Sequence, residues 1–159
     1  MRHGEAGKRL PVPSKDYERP LTAAGEREIG EIAGALRKLK LKFDRIISSP
    51  LKRCHDTAAI VAEEQGGGAK VEDWDELKPE GSRPVLLHKL SRLRQDSDIL
   101  IVGHDPYLSI LIGEVISGTP GVKLALKKGG LARIQVTSFS PRPTGELRWL
   151  LTPKLLRKI

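Results

Sequence analysis

Cysteine is nearly absent from this sequence. The single Cys54 excludes an internal disulfide and fits a reducing compartment, so a cytoplasmic location is expected. Aromatic residues make up only 4% of the chain, which leaves aliphatic side chains to fill the core. Apolar runs are short. The longest, such as Ile99-Leu100-Ile101-Val102, fall far below the length that crosses a bilayer, and no membrane association is expected. The opening residues run directly into polar sequence and do not read as a signal peptide. The four histidines show no His-x-x-His spacing and there is no Cys-x-x-Cys pair, so neither a metal nor another cofactor is expected. Gly66-Gly67-Gly68 is not followed by Lys-Ser/Thr and reads as a helix terminator, not a nucleotide loop.

With 159 residues, 30% of them charged, the chain suits one soluble domain spanning 1–159. The net charge of +8 points to an anionic partner or to a solvated basic surface. The basic blocks at 37–42 and 154–158 interleave no aromatic residues and carry no nucleic-acid motif, so nucleic acid is not expected.

Periodicity supplies the elements. Residues 5–21 read as a polar, proline-containing loop. Thr22 is placed to cap a helix over about 23–40, with Ile29, Ile32, Ala33, Leu36 and Leu39 on one face. A short buried strand is expected at 45–48, then a helix capped by Ser49 with Pro50 at its first position, running to about Gln65. A strand at 71–74, a helix at 84–95 and a buried strand at 98–103 follow. The next helix is expected to be capped by Asp105, with Pro106 leading it, and to run to about Ser117. Residues 131–138 and 146–151 suit an antiparallel pair joined by 141–145. The alternation of strands and helices argues for α/β, three layers with helices on both faces of a mostly parallel sheet and one antiparallel C-terminal pair.

The polar residues fall where such a fold binds ligands, beyond the carboxyl ends of strands. His104 follows the strand at 98–103, and Arg53 lies early in the helix after the strand at 45–48. Helix N-termini at that edge suit phosphate. Together with Arg2 and His3 they are the groups that phosphoryl transfer to a histidine requires: an imidazole nucleophile, and guanidiniums and a second imidazole on the equatorial oxygens. The neighbouring cations are expected to keep His3 neutral. Cys54 lacks the Cys-x5-Arg loop of a thiol phosphatase and suits a buried helix face, while His55 and His88 suit structural or exposed roles.

The ordered blocks Arg2-His3-Gly4-Glu5-Ala6, Glu18-Arg19-Pro20-Leu21-Thr22, Ser48-Ser49-Pro50-Leu51-Lys52-Arg53, Asp75-Glu76-Leu77-Lys78-Pro79-Glu80-Gly81 and Gly103-His104-Asp105-Pro106 cover nearly the whole chain. In that order they resemble the histidine phosphatase superfamily, which is phosphoglycerate mutase-like in fold, and within it the SixA-type phosphohistidine phosphatases. The resemblance implies His3 as nucleophile, with Arg2, Arg53 and His104 forming the phosphate pocket and no metal involved. It implies Arg19 as a further substrate contact and Glu76 or Glu80 as the general acid. The implied substrate is a phosphorylated protein carrying phosphohistidine. Small phosphorylated metabolites and a catalytically silent phosphate-binding module are the alternatives. One departure stands out: the family carries an apolar strand before Arg-His-Gly, and here only Met1 precedes Arg2. Three readings stay open: a first strand missing by truncation, a mistaken start, or residues 1–3 pairing only at a fraying end; a form with about five more apolar residues is expected to be more stable and more active.

Overall fold

The computed structural model describes residues 1–159. Three strands, β1 (Arg45–Ser48), β2 (Val71–Asp73) and β3 (Ile99–Val102), form a parallel sheet in the order β2-β1-β3. In register, Ile46 lies beside Leu100 and Val71. Two longer strands, β4 (Leu131–Ser138) and β5 (Thr144–Leu151), pair antiparallel. The helices are α1 (Pro13–Tyr17), α2 (Ala23–Lys38), α3 (Lys52–Glu64), α4 (Arg83–Ser91), α5 (Tyr107–Ser117) and α6 (Pro153–Leu156). A single 3₁₀ turn covers Asp75–Leu77.

Successive strand residues point to opposite faces, and this builds the three layers. Ile46, Leu100 and Val102 pack with α2 and α3 through Ile29, Ile32, Leu36 and Val61. Their neighbours Ile47, Ile99 and Ile101 face the other side, where Leu86 of α4 and Leu108, Leu111 and Ile112 of α5 cover them. Both faces of β3 are thus covered, which is why that strand is a continuous apolar run.

Helix α2 starts where the Thr22 hydroxyl accepts the Gly25 amide at 3.0 Å. Its apolar stripe is buried except at Leu39, which is 42% exposed. The helix stops at Lys38, and Lys40, with φ of 56°, turns the chain away before Leu39 can face the core. Other expectations shift as well. A short helix, α1, occupies part of the segment read as loop, led by Pro13. Helix α3 begins at Lys52, so Ser49 is not its cap. Helix α5 begins at Tyr107, and the Asp105 carboxylate accepts from the Ser109 hydroxyl instead of capping a backbone amide. Strand β5 starts two residues early because Thr144 pairs with Ser138 beyond a bulge.

Residues 1–3 are not frayed. The Met1 amine donates to the Ile101 carbonyl at 2.7 Å, and the His3 amide donates to Gly103 at 3.0 Å. On the other side the Arg2 amide donates to Gly130 at 3.1 Å, and Gly129 donates back to Arg2 and His3. Gly129 has φ of 71°, a conformation that suits glycine. The tripeptide therefore joins the parallel sheet to the antiparallel pair. Behind Met1 an open, largely apolar groove of about 900 Å³ runs between β3 and β4, lined by residues such as Phe43, Ile99, Ile101, Leu131 and Ile134. An N-terminal extension of about five Val/Ile/Leu residues is expected to lie in this groove as a strand. Apolar burial, offset by ordering entropy, gives a net gain of about 2 kcal/mol, or roughly 4–8 °C in Tm by calorimetry. An unchanged Tm would show that the groove does not accept a strand.

Candidate active site

The carboxyl ends of β1 and β3 are tied together by the Ser49 amide, which donates to the Val102 carbonyl at 2.9 Å. This brings residues 49–53 beside residues 103–104, with residues 1–4 on the far side of β3. His3, Arg53 and His104 are all buried at this edge, and Arg2 is partly buried. The His3 and His104 rings meet edge to face, with centroids 5.3 Å apart.

His3 is oriented by its own backbone. Nδ1 lies 2.7 Å from the Gly4 carbonyl, which can only accept, so Nδ1 carries the proton and Nε2 keeps a lone pair. Gly4 is in turn fixed by α3: its amide donates to the Thr57 hydroxyl at 3.1 Å, and that hydroxyl donates to the Arg53 carbonyl at 2.7 Å. A Cβ on Gly4 would come within 2.7 Å of the Ile29 side chain, so the close approach of this turn to α2 requires glycine.

The two guanidiniums are anchored at one end. Arg2 donates through Nη1 to the Leu126 carbonyl at 2.9 Å. Arg53 donates through Nη1 to the Asp16 carbonyl at 2.9 Å, and its Nη2 lies 3.5 Å from His104 Nδ1. The Nε–H groups of Arg2 and Arg53 are both buried and have no partner in the chain. No other buried side-chain polar atom is left in that state. Such donors favour an anion.

Burial is the main reason His3 is held down at about pKa 4, with the charges of Arg53, Arg2 and Lys128 adding to it. Burial likewise holds His104 at about 3, reinforced by His3, Arg53 and Arg2. The expected effect of neighbouring cations is therefore present but second to desolvation. Cys54 is fully buried, and its thiol is pushed up to about 12 by burial, so it stays protonated. No three metal-ligating side chains converge anywhere in the chain.

Arg19 is committed within the fold. It donates to the Asp16 carboxylate at 2.8 Å and to the Ala6 carbonyl at 2.6 Å. Glu76 pairs with Lys89 at 2.9 Å, which holds its carboxyl below the usual range. Glu80 accepts from the Tyr17 hydroxyl, beside Asp16. His55 pairs with Asp73 at an exposed position, and His88 sits in α4.

Two site residues carried no clear signal in the sequence. Asp16 lay in a segment read as loop, yet it is buried and contacts Arg19, Arg53 and the Leu10 amide. Burial pushes its carboxyl up, but the Arg19 hydrogen bond and the other donors outweigh this and hold it at about 2. Ser49, expected to cap a helix, instead places its hydroxyl 2.8 Å from His104 Nε2.

The family profile described as histidine phosphatase superfamily (branch 1) matches residues 1–79. An uncharacterized protein of Picosynechococcus sp. is 33% identical over 98% of this chain and 96% of its own length. The phosphohistidine phosphatase SixA of Escherichia coli is 28% identical over 96% of this chain and 91% of its own. A solved structure of the protein histidine phosphatase SixA complexed with tungstate superposes with a TM-score of 0.81 at 25% identity, covering 97% of this chain and 95% of that one.

The site carries a pH signature. Unfolded histidine titrates near 6.5, whereas folded His3 and His104 resist protonation down to about 4 and about 3. The unfolded chain binds more protons across that window. Stability is therefore complete above about pH 6.5 and falls as pH drops toward those values. The buried Met1 amine, lowered from 8.0 to about 5, adds to the loss at its own higher range. Tm is expected to fall between pH 7 and pH 4.5, and His104→Asn to flatten the profile; equal profiles would contradict a neutral buried pair. Asp16→Ala is expected to cost about 3 kcal/mol in denaturant unfolding, since it strips the only carboxylate from Arg19 and Arg53.

Proposed function

The chain belongs to the histidine phosphatase superfamily and is a phosphatase, and from that premise we propose that it is a protein phosphohistidine phosphatase working through a phosphohistidine intermediate on His3, without a metal. The observation that carries this is the His3 imidazole, neutral and with its lone pair on Nε2, beside two guanidiniums whose buried Nε–H groups have no partner.

In this reading Nε2 of His3 attacks phosphorus and the bond to the substrate nitrogen breaks. Arg2 and Arg53 hold the equatorial oxygens and take up the charge of the transition state. His104 adds a further ring donor once the charge of the bound dianion lets its imidazole take a proton from solvent. The departing imidazole of the substrate takes a proton and leaves. Water then cleaves the phosphoramidate on His3, releasing inorganic phosphate and restoring the free ring.

Arg19 acts through Asp16: it places the carboxylate that holds Arg53, and so it serves as a positioning residue. Of the two candidate acids, Glu80 is favoured by its contact with Tyr17 next to Asp16, whereas Glu76 is engaged by Lys89. The SixA likeness supports a phosphohistidine substrate carried on a protein. A single domain over residues 1–159 is proposed with it.

The test is metal-free hydrolysis of a histidine-phosphorylated protein and of p-nitrophenyl phosphate, by wild type and variants. His3→Ala is expected to abolish turnover of both, and Arg53→Gln to lower kcat by about 10²–10³. Preference for the phosphoprotein supports the proposal. Preference for the ester points to small-molecule phosphates. Phosphate binding without turnover would identify a silent binding module.

A further inference from the structure

Between the turn that carries His3 and the carboxylate that holds Arg53 runs a nine-residue strap, Gly7–Lys15. Every residue in it is exposed. Exposure does not make it loose, because its backbone is pinned at several points. The Gly7 carbonyl accepts from Arg19 at 3.1 Å, and the Leu10 amide donates to Asp16 at 2.8 Å. The Val12 carbonyl accepts the Asp16 amide at 2.9 Å as α1 begins. The fold thus spends part of its one buried carboxylate on holding this strap in place at the edge of the site.

What the strap displays is one-sided. Lys8, Arg9 and Lys15 give it three positive charges, and it contains no acidic residue. Four other lysines around the site are neutralised within the chain: Lys128 by Glu5, Lys78 by Asp75, Lys89 by Glu76 and Lys52 by Asp56. Lys8, Arg9 and Lys15 enter no ion pair and no side-chain hydrogen bond. Between them stand Leu10 and Val12, 39% and 45% exposed, flanked by Pro11 and Pro13. The strap lies close to the pocket, since its Leu10 amide donates to the same Asp16 carboxylate that lies 3.5 Å from Arg53.

We propose that Gly7–Lys15 is the docking surface for the phosphorylated protein itself: acidic side chains around the phosphohistidine meet Lys8, Arg9 and Lys15, and apolar side chains cover Leu10 and Val12. This rests on the phosphohistidine reading above and names the partner as an acidic protein surface. A strap of nine exposed residues is far longer than the contact a single phosphorylated metabolite makes. It offers no aromatic side chain on which a nucleic-acid base would stack. Unpaired cations beside ordered, exposed aliphatic side chains are the complement of a protein patch with acidic rim and apolar centre.

The experiment compares two substrates: an acidic protein phosphorylated on histidine with phosphoramidate, and the free amino acid phosphohistidine. For the wild type, raising salt from 50 to 300 mM is expected to lower kcat/KM on the protein by about tenfold and to leave the free amino acid within about twofold. Lys8→Glu/Arg9→Glu is expected to raise KM on the protein by about tenfold at low salt, with kcat and free-phosphohistidine turnover unchanged. Leu10→Ser/Val12→Ser is expected to act on the same KM without changing the salt dependence. All four side chains are exposed and none belongs to the phosphate pocket, so both variants are expected to keep the wild-type Tm. Equal effects on both substrates, or no effect on either, would overturn the docking surface. So would a strap whose variants lose only the binding of a single-stranded RNA probe. A wild type that hydrolyses neither phosphohistidine substrate would overturn the catalytic reading, and the docking surface with it.

Discussion

Asp16 is the only buried carboxylate in the chain, and the site is organised around it. Arg2, His3, Arg53 and His104 bring two fixed positive charges and two ionisable rings into one poorly solvated edge. Like charges gathered in this way repel, and each loses hydration. Asp16 offsets part of that cost with one side chain. Its carboxylate takes Arg19 and lies 3.5 Å from Arg53, and its backbone carbonyl takes the Arg53 Nη1. The rings answer the same constraint by staying neutral. A neutral His3 is also the form with a lone pair to donate, so the burial that keeps the ring uncharged suits the role proposed for it.

The geometry of the sheet decides what meets there. Parallel strands place all their carboxyl ends on one edge, so β1 and β3 deliver Ser49–Arg53 and Gly103–His104 side by side. The tripeptide Met1–His3 then lies against the other side of β3 and reaches Gly129 and Gly130, which lead into β4. His3 is held by hydrogen bonds to both neighbours and by Thr57 from α3 through Gly4. Three stretches far apart in sequence converge because each abuts the end of the same short strand.

Much of this was legible beforehand. The Ile99–Val102 run, the stripe of Ile29, Ile32 and Leu36, and the glycine after β3 are local signals whose meaning depends on neighbours within a few residues. Arg2, His3, Arg53 and His104 stood in recognisable short blocks for the same reason. Legibility failed where a partner lay far away. Ser49 looks like a helix cap because serine before proline usually is one, but its hydroxyl meets an imidazole 55 residues on. Asp16 and Arg19 sat in a stretch without periodicity, and their pairing with each other and with Arg53 is invisible from spacing alone. Leu39 had the right spacing but the helix ended one residue too soon.

The sequence by itself determined the alternation of elements, the aliphatic three-layer core and the residue types of the candidate site, because periodicity and short motifs are properties of adjacent residues. The tertiary structure alone decided which nitrogen of His3 is free, that burial more than charge keeps both rings neutral, and that Arg19 is spent on Asp16. It alone placed residues 1–3 inside the fold and left the cations of the strap unpaired. These are consequences of distance and desolvation, and both are set only when segments separated by tens of residues are brought to the same few ångströms.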